Sequence, residues 1–287
     1  MSEGPLCVAV INLKGGVGKT TIAALLGRYA FRSRGLNVLA IDLDPQANLS
    51  QAYMLRSYRQ FINLKSPSIV EVFSGLHPPG PGKSSPTKLK VEDAVVRIAS
   101  TPGGERHLDL IPSRFDFSNH LTESLKPDVT VLAKCIANHF HDKDLILIDC
   151  APTESVFTTA AYHASRYVLV PVKPEYFATI GFPLLRQSLD AFRQKNRGHE
   201  IDVVGVVINN AFYDGGNDGG PEKQQALLDI GREARENGWE LFSNEIPHSR
   251  GFPKQMRGDY RYSGNAEYFW QFAQEFFKRL DLPAVRR

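Results

Sequence analysis

The chain has few cysteines and no long apolar run. Its 287 residues include only three cysteines, Cys7, Cys135 and Cys150, and no two of them form a Cys-x-x-Cys pair. Scattered thiols in apolar surroundings argue against a disulfide framework and a cysteine metal cluster, and they fit a reducing cytosol. No apolar run approaches the roughly 18 residues of a membrane span, and the N-terminus has no signal-like segment. We therefore expect a cytoplasmic protein without a membrane partner.

A strong charge of either sign is also missing. The net charge is +3 at pH 7, with 42% hydrophobic and 23% charged residues. This composition is sufficient for a buried core and predicts a single globular domain over residues 1–287. Any nucleic-acid binding must come from a local basic patch. Residues 76–90 are rich in Pro, Gly, Ser and Lys and are predicted to form a mobile insertion.

What the chain does have is a glycine-rich stretch near its start, CVAVINLKGGVGKTT from Cys7 to Thr21. It predicts a strand, a phosphate-binding loop (P-loop) and the first turn of a helix. The glycines let backbone N–H groups approach phosphate oxygens. Lys19 would reach the β- and γ-phosphates, and the Thr20 hydroxyl would bind Mg²⁺. The predicted nucleotide-binding residues of this loop are Gly15, Gly16, Val17, Gly18, Lys19, Thr20 and Thr21.

The loop departs from the usual GxxxxGK[ST] pattern. Leu13 stands where a glycine is expected, and a second lysine, Lys14, opens the loop. Its own loop hardly needs this second charge, so Lys14 would serve a phosphate bound across a symmetric interface. The alternative is a solvated loop residue.

Carboxylates follow two further apolar segments. LNVLAID ends at Asp42 and is followed by Asp44, and DLILID ends at Asp149. Strand, helix and strand over residues 6–42 form a βαβ unit, in which ligands bind beyond the carboxyl ends of the strands. A solvated turn is the alternative for Asp42 and Asp44. Behind a P-loop, we expect Asp149 to hold Mg²⁺ through water.

The motifs KGGVGKT, DLDPQANLS, DLILIDCAP and VPVKPE occur in the order typical of the ParA/MinD family, and together they resemble small ParA-type partition ATPases. The resemblance implies a doubly wound α/β fold with a mostly parallel sheet, ATP and Mg²⁺ as ligands, and slow, partner-stimulated hydrolysis. It implies that Lys14 enters the nucleotide site of a second copy. Asp44 would position the attacking water and Asp42 would support the Mg²⁺ shell. Ala151-Pro152 stands where the family often has two prolines, so the geometry of that turn is left open.

Further expectations come from the same resemblance. An ATP-bound homodimer would bind double-stranded DNA of any sequence, associate with the nucleoid, position a cargo, and respond to a ParB-like or cargo-adaptor stimulator. An N-terminal helix-turn-helix is not expected, because the first strand starts close to Met1. Two alternatives are a MinD-like membrane-associated ATPase and a nucleotide-locked scaffold with negligible turnover. The predicted base contacts are Asn209, Ile246 and Pro247.

The predicted DNA contacts come from the distribution of charge. Arg186 and Arg193 are seven residues apart and share one helix face, and Arg250, Lys254 and Arg257 belong to a basic run that contains one acid. A solvated charged surface is the alternative interpretation.

The last helical segment, AEYFWQFAQEFFKRL, has an apolar stripe. A membrane-surface helix is one interpretation of such a stripe. The acidic Glu267 and Glu275 dilute the positive charge that this role would use, so we expect the helix to pack on the sheet.

Overall fold

The computed structural model of the chain describes residues 4–77, 87–115, 128–175, 178, 180–210, 220–260 and 266–282. Within them, seven strands form one sheet in the order β5-β6-β2-β7-β1-β8-β9, and two short strands, β3 and β4, form a hairpin. All neighbours in the large sheet are parallel except β5 and β6. The strands are β1 (Leu6–Val10), β2 (Val38–Asp42), β3 (Leu76–His77), β4 (Thr87–Lys88), β5 (Val96–Ser100), β6 (His107–Ile111), β7 (Leu145–Asp149), β8 (Tyr167–Val172) and β9 (Asp202–Ile208).

The central strands are apolar along their length because helices cover both faces of the sheet. Every residue of β2 and β7 is buried, whereas the edge strand β5 has none that is fully buried. The helices are α1 (Lys19–Arg34), α2 (Asn48–Met54), α3 (Arg56–Asn63), α4 (Ile69–Ser74), α5 (Val131–His139), α6 (Val156–Ala164), α7 (Gly181–Lys195), α8 (Gly220–Glu236), α9 (Phe252–Met256) and α10 (Ala266–Arg279).

Two apolar cores lie on opposite faces of the sheet. Residues of α4, α5, α6, α7 and α8 pack on one face. Residues of α1, α2, α3, α9 and α10 pack on the other. The doubly wound α/β fold predicted from the sequence is thus confirmed.

The final helix packs on the sheet through a row of phenylalanines. Phe269, Phe272 and Phe276 are buried, as the stripe predicts, and Phe277 stacks on Tyr29 of α1 with ring centroids 5.9 Å apart. Tyr268 also belongs to the sequence stripe, but its side chain is exposed because the buried face is rotated toward Phe277. In the part of the chain that the structure describes, no helix is long and apolar enough to cross a membrane.

Three segments differ from the sequence expectations or lie outside the described residues. The ends of the 76–90 stretch pair as a hairpin, with Leu76 opposite Lys88, while residues 78–86 are not described. The resemblance to the ParA family implies a last strand near Ile246, but the described residues there make two isolated bridges, Val206 with Leu241 and Asn209 with Ile246. The sequence also predicts a helix from about Asp116, and residues 116–127 lie outside the described residues.

Candidate nucleotide-binding site

The P-loop connects the end of β1 to the start of α1. Its turn requires glycine, because Gly16 and Gly18 have φ angles of 75° and 94°. Gly18 also lacks space for a side chain, since an added Cβ would lie 2.0 Å from Nδ2 of Asn209. That same Nδ2 donates a hydrogen bond to the carbonyl of Val17 at 2.9 Å. The tip of the loop is therefore fixed against the end of β9.

Asn12 fixes the start of the loop. It is buried, its Nδ2 donates to the Pro171 carbonyl at 2.7 Å, and its Oδ1 accepts a hydrogen bond from the Lys14 backbone N–H at 2.9 Å. A Cβ on Gly181 would lie 2.8 Å from this Oδ1, so α7 begins in close contact with the loop. Asn12 was not among the site residues predicted from the sequence. A polar residue directly after the apolar run of β1 was the available signal.

Lys19 points into the loop. Its side chain is buried, and Nζ donates hydrogen bonds to the carbonyls of Asn12 and Lys14, both at 3.1 Å. Burial lowers the pKa of this ammonium group, although the Asp149 carboxylate opposes the shift. The charge lies inside the curve of the loop, where a phosphate group would be bound.

Lys14 points away from the loop interior. Its side chain is 28% exposed, and its ion pair is with Glu175 at 3.4 Å. Lys173 also contacts Glu175, and its hydrogen bond is the main reason why the pKa of Glu175 is lowered. The two lysines of one loop therefore occupy different environments.

Two aspartates lie side by side at the carboxyl edge of the sheet. The parallel register places Asp42 of β2 opposite Asp149 of β7. Asp42 is fully buried and accepts hydrogen bonds from Ser50 Oγ at 2.7 Å, Ser50 N at 2.8 Å and Asp44 N at 3.2 Å. Burial nevertheless raises the pKa of Asp42 to about 7. Asp42 thus anchors the first turn of α2.

Asp149 is also fully buried, but its hydrogen bonding differs from that of Asp42. Neither of its carboxylate oxygens has a hydrogen-bond partner of normal geometry among the described residues. Burial raises its pKa well above the usual value, and the neighbouring Asp42 acts in the same direction, while the nearby Thr20 hydroxyl and Lys19 oppose the rise. A buried carboxylate without donors is costly unless a cation or a ligand compensates for it.

Asp149 and Thr20 fit a magnesium ion. Both offer hard oxygen atoms at the mouth of the P-loop, and Mg²⁺ is usually held by one or two carboxylates together with water and substrate phosphates. No cluster of three or more His, Cys, Asp or Glu that could hold a metal occurs within the described ranges. The donor set therefore suits an ion that arrives with a nucleotide. Asp42 would act indirectly, because Ser50 and Asp44 already bind its oxygens.

Asp44 begins the turn into α2. Its Oδ1 accepts a hydrogen bond from Gln46 N at 2.8 Å, and its backbone carbonyl accepts one from Ala47 N at 2.8 Å. Its side chain is 8% exposed, and its charge raises the pKa of Asp149, so the two carboxylates share one site.

The predicted base-contacting residues adjoin this site. Ile246 and Pro247 are buried, and Ile246 bridges to Asn209. The Asn209 amide nitrogen donates a hydrogen bond to the Val17 carbonyl, so this side chain positions the P-loop. The contact of Asn209 with an adenine edge stays a prediction.

The predicted DNA-contacting residues fall into two groups on opposite faces of the sheet. Arg186 and Arg193 share one face of α7, but both contact Asp190, and Arg193 also donates to the Ile201 carbonyl at 2.7 Å. Arg250, Lys254 and Arg257 lie in or beside α9 on the other face. One copy of the chain therefore does not bring the two groups together.

The comparisons with known proteins agree with this geometry. Residues 6–202, which include the P-loop, Asp44 and Asp149, match the family model described as AAA domain. The chain is 33% identical over 222 residues to the chromosome partitioning protein ParA of Caulobacter vibrioides, covering 75% of this chain and 72% of that protein.

Two solved structures share the fold. A variant of McdA from Cyanothece in complex with ATP superposes with a TM-score of 0.73 at 19% identity, covering 100% of both chains. Cobyrinic acid a,c-diamide synthase from Mycobacterium smegmatis, with bound ADP and magnesium, superposes with a TM-score of 0.67 at 24% identity, covering 99% of this chain and 100% of that one. With its P-loop, strand-end aspartates and sheet order, this chain belongs to the AAA-domain family of ParA-type P-loop ATPases.

Proposed function

We propose that the chain binds Mg-ATP, dimerises face to face across two nucleotides, hydrolyses ATP slowly, and in the ATP state binds DNA of any sequence to position a cargo. The observation that carries the proposal is the opposite placement of two lysines in one loop. Lys19 is enclosed by carbonyl groups of the loop, whereas Lys14 extends outward to an exposed Glu175.

The inward groups account for nucleotide binding. The backbone N–H groups of the loop and Lys19 would bind the phosphates, because fixed donors around an anion need no rearrangement. Thr20 and Asp149 would hold Mg²⁺, which neutralises charge that develops on the phosphate oxygens. Asp44, at the same strand edge, would orient the attacking water.

The outward group accounts for dimerisation. The Lys14 ammonium is about 3.4 Å from Glu175 in an exposed pair. Exposed ion pairs are worth about 0–1 kcal/mol, so a γ-phosphate on a second copy would readily replace Glu175 as the partner. The Lys14 charge would then link ATP binding to assembly.

DNA binding would use the cations beside α9. Arg250 is exposed and lies before α9, and Lys254 lies within it. Two copies double the number of phosphate contacts, so affinity would rise on dimerisation and fall steeply with salt, independent of sequence. Hydrolysis would release the DNA by separating the copies. A ParB-like protein or a cargo adaptor would accelerate that step, and the ATP-bound form would be associated with the nucleoid.

The test measures binding to an arbitrary duplex with ATP and with ADP at several salt concentrations. The unsubstituted protein, here called the parent, should bind the duplex tightly only with ATP. Arg250→Ala and Lys254→Ala should weaken binding and reduce the salt dependence, while Lys195→Ala, an exposed cation at the end of α7, should behave as the parent. No ATP-dependent binding by the parent would contradict the proposal, and vesicle sedimentation would then test the membrane-associated alternative.

Two active-site variants separate assembly from hydrolysis. Lys14→Ala should bind ATP but remain monomeric in light scattering. Asp44→Ala should form a long-lived ATP dimer that binds DNA and releases little phosphate, because the nucleotide contacts stay in place. Parent-like phosphate release by Asp44→Ala would contradict the role given to Asp44, and negligible release by the parent with DNA would favour a nucleotide-locked scaffold.

A further inference from the structure

A second concave surface adjoins the nucleotide site. A cavity of about 1170 Å³ lies between the α2–α3 corner and α9, and it reaches Thr20 and Thr21 at the start of α1. We call it the α3–α9 groove. Apart from Arg257, a predicted DNA contact, the residues of its outer part have no role in the site chemistry described above.

The rim of the groove is positively charged. Arg56 and Arg59 of α3 and Arg257 at the end of α9 line it, and all three are exposed. Within the described ranges, their side chains form no ion pair or hydrogen bond, and no aspartate or glutamate lines the groove. Three unpaired guanidinium groups around one concave surface favour an anionic partner. Arg257, which the charge pattern grouped with the DNA contacts, belongs to this rim.

The floor of the groove is apolar. Met54, Leu55, Pro253 and Met256 contribute to it. Leu55 is 46% exposed and joins α2 to α3 with φ 54° and ψ −124°. This conformation is sparsely populated for a residue with a side chain, and such strain persists where the surrounding structure holds it. Methionines beside an exposed leucine adapt well to an inserted apolar side chain.

Both walls are fixed to α1. Arg28 donates a hydrogen bond from Nε to the Met256 carbonyl at 3.0 Å, and the Tyr53 hydroxyl donates to the Ala24 carbonyl at 2.8 Å. The Arg28 guanidinium also lies over the Tyr53 ring, 4.9 Å from its centroid. The groove is therefore preformed, which reduces the cost of ordering it on binding.

We propose that the α3–α9 groove binds an amphipathic, acidic helix of a partner protein. The apolar side chains of this helix would pack on the floor formed by Met54, Leu55 and Met256. The carboxylates of the helix would pair with the arginines of the rim. A helix recognised in this way presents anchors at helical spacing along one face. A DNA backbone fits less well, because phosphates pair with the cations but leave the apolar floor uncovered.

The groove also lies next to the nucleotide. Thr20, a proposed Mg²⁺ ligand, and Thr21 line its inner end, so a bound helix would contact the first turn of α1. Occupancy would then differ between the ATP-bound and nucleotide-free forms. The proposal does not depend on dimerisation or DNA binding, because every groove residue belongs to one copy.

A peptide-display selection tests the proposal. A library of random peptides of about 16 residues, long enough for a marginal helix, is selected on the full-length protein. The recovered peptides should be rich in Asp and Glu, with Leu, Phe or Met at intervals of three and four residues. Their affinity should fall at least tenfold for the double variant Arg56→Glu with Arg59→Glu, and should decrease with salt. Arg197→Glu, an exposed arginine outside the groove, should bind them as the parent does.

A second variant tests the apolar floor separately from the charge. Leu55→Ser should lower the affinity for the same peptides without changing the salt dependence of that affinity. Thermal unfolding verifies that the variants are folded, which we expect because the substituted side chains are exposed. Peptides without acidic residues, or peptides that bind the charge-reversed variant and the parent equally, would overturn the proposal. A tenfold loss of duplex DNA binding in the charge-reversed variant, without an effect on peptides, would assign the groove to nucleic acid instead.

Discussion

The start and the end of the P-loop differ in the environment that they give to a lysine. At the start, Lys14 is 28% exposed and pairs with one exposed glutamate. At the end, Lys19 is 7% exposed and faces buried carboxylates at the strand ends. The same residue type, five positions apart, therefore has two environments, which is why we propose assembly as the role of Lys14 and ligand binding as the role of Lys19. Two asparagine side chains hold the loop between these lysines: Asn12 accepts a hydrogen bond from the Lys14 backbone N–H, and Asn209 donates one to the Val17 carbonyl.

The largest expected effect is at the inner end. Lys19→Ala should weaken ATP binding by about 2–4 kcal/mol, because it removes charge-assisted hydrogen bonds to phosphate. This corresponds to roughly 30- to 1,000-fold in Kd. Isothermal titration with ATP and Mg²⁺ measures it, and Lys14→Ala is the matched control that should stay within about threefold of the parent. An equal loss of ATP affinity in both variants would show that the two ends of the P-loop do not differ in function.

Much of this difference could be predicted from the sequence. The glycine spacing and the second lysine identify the loop, and the apolar runs that end in Asp42 and Asp149 place carboxylates beside it. Such signals are local in sequence, so they can be recognised without knowledge of the tertiary packing. The sequence does not reveal that Ser50 hydrogen-bonds Asp42, while Asp149 has no donor of normal geometry among the described residues. This difference depends on how α2 folds back onto the strand end.

The second prediction compares these two aspartates. Asp149→Asn should abolish the Mg²⁺ dependence of ATP binding and raise the thermal midpoint of the ligand-free protein, because the desolvation that raises the pKa of the Asp149 carboxyl group no longer opposes folding. Asp42→Asn should reduce the free energy of unfolding by about 1–3 kcal/mol, because Ser50 loses a charged acceptor. The thermal midpoint should fall accordingly. Thermal unfolding with and without ATP, with Mg²⁺ or with a chelator, separates the two effects. A lower thermal midpoint for Asp149→Asn would contradict the interpretation that the Asp149 carboxylate serves as a cation ligand.

Contacts between distant segments were the least predictable part of the site. The base contact predicted for Asn209 stays a prediction, but the sequence did not indicate that its amide supports the P-loop 192 positions away. The α3–α9 groove combines residues from positions 20 to 59 with residues from 253 to 257, so only the folded chain defines it. Arg193 was predicted as a DNA contact from its charge and spacing, and the structure adds a hydrogen bond to the carbonyl of Ile201, just before β9, that the spacing does not reveal.

The smallest expected effect is at the outer end of the loop. Glu175→Gln removes the acid that holds Lys14 within its own copy while leaving a side chain of similar size. Since an exposed ion pair contributes about 0.2–1 kcal/mol, freeing Lys14 should strengthen ATP-dependent dimerisation by up to about fivefold. Sedimentation of the ATP-bound protein over a concentration series measures this change, and ATP binding to the monomer should be unaltered. In the double variant Lys14→Ala with Glu175→Gln, the gain should disappear, because no charge remains to cross the interface. A gain that persists without Lys14 would assign the effect to Glu175 itself, through repulsion of the incoming phosphate, and would contradict the role of the ion pair.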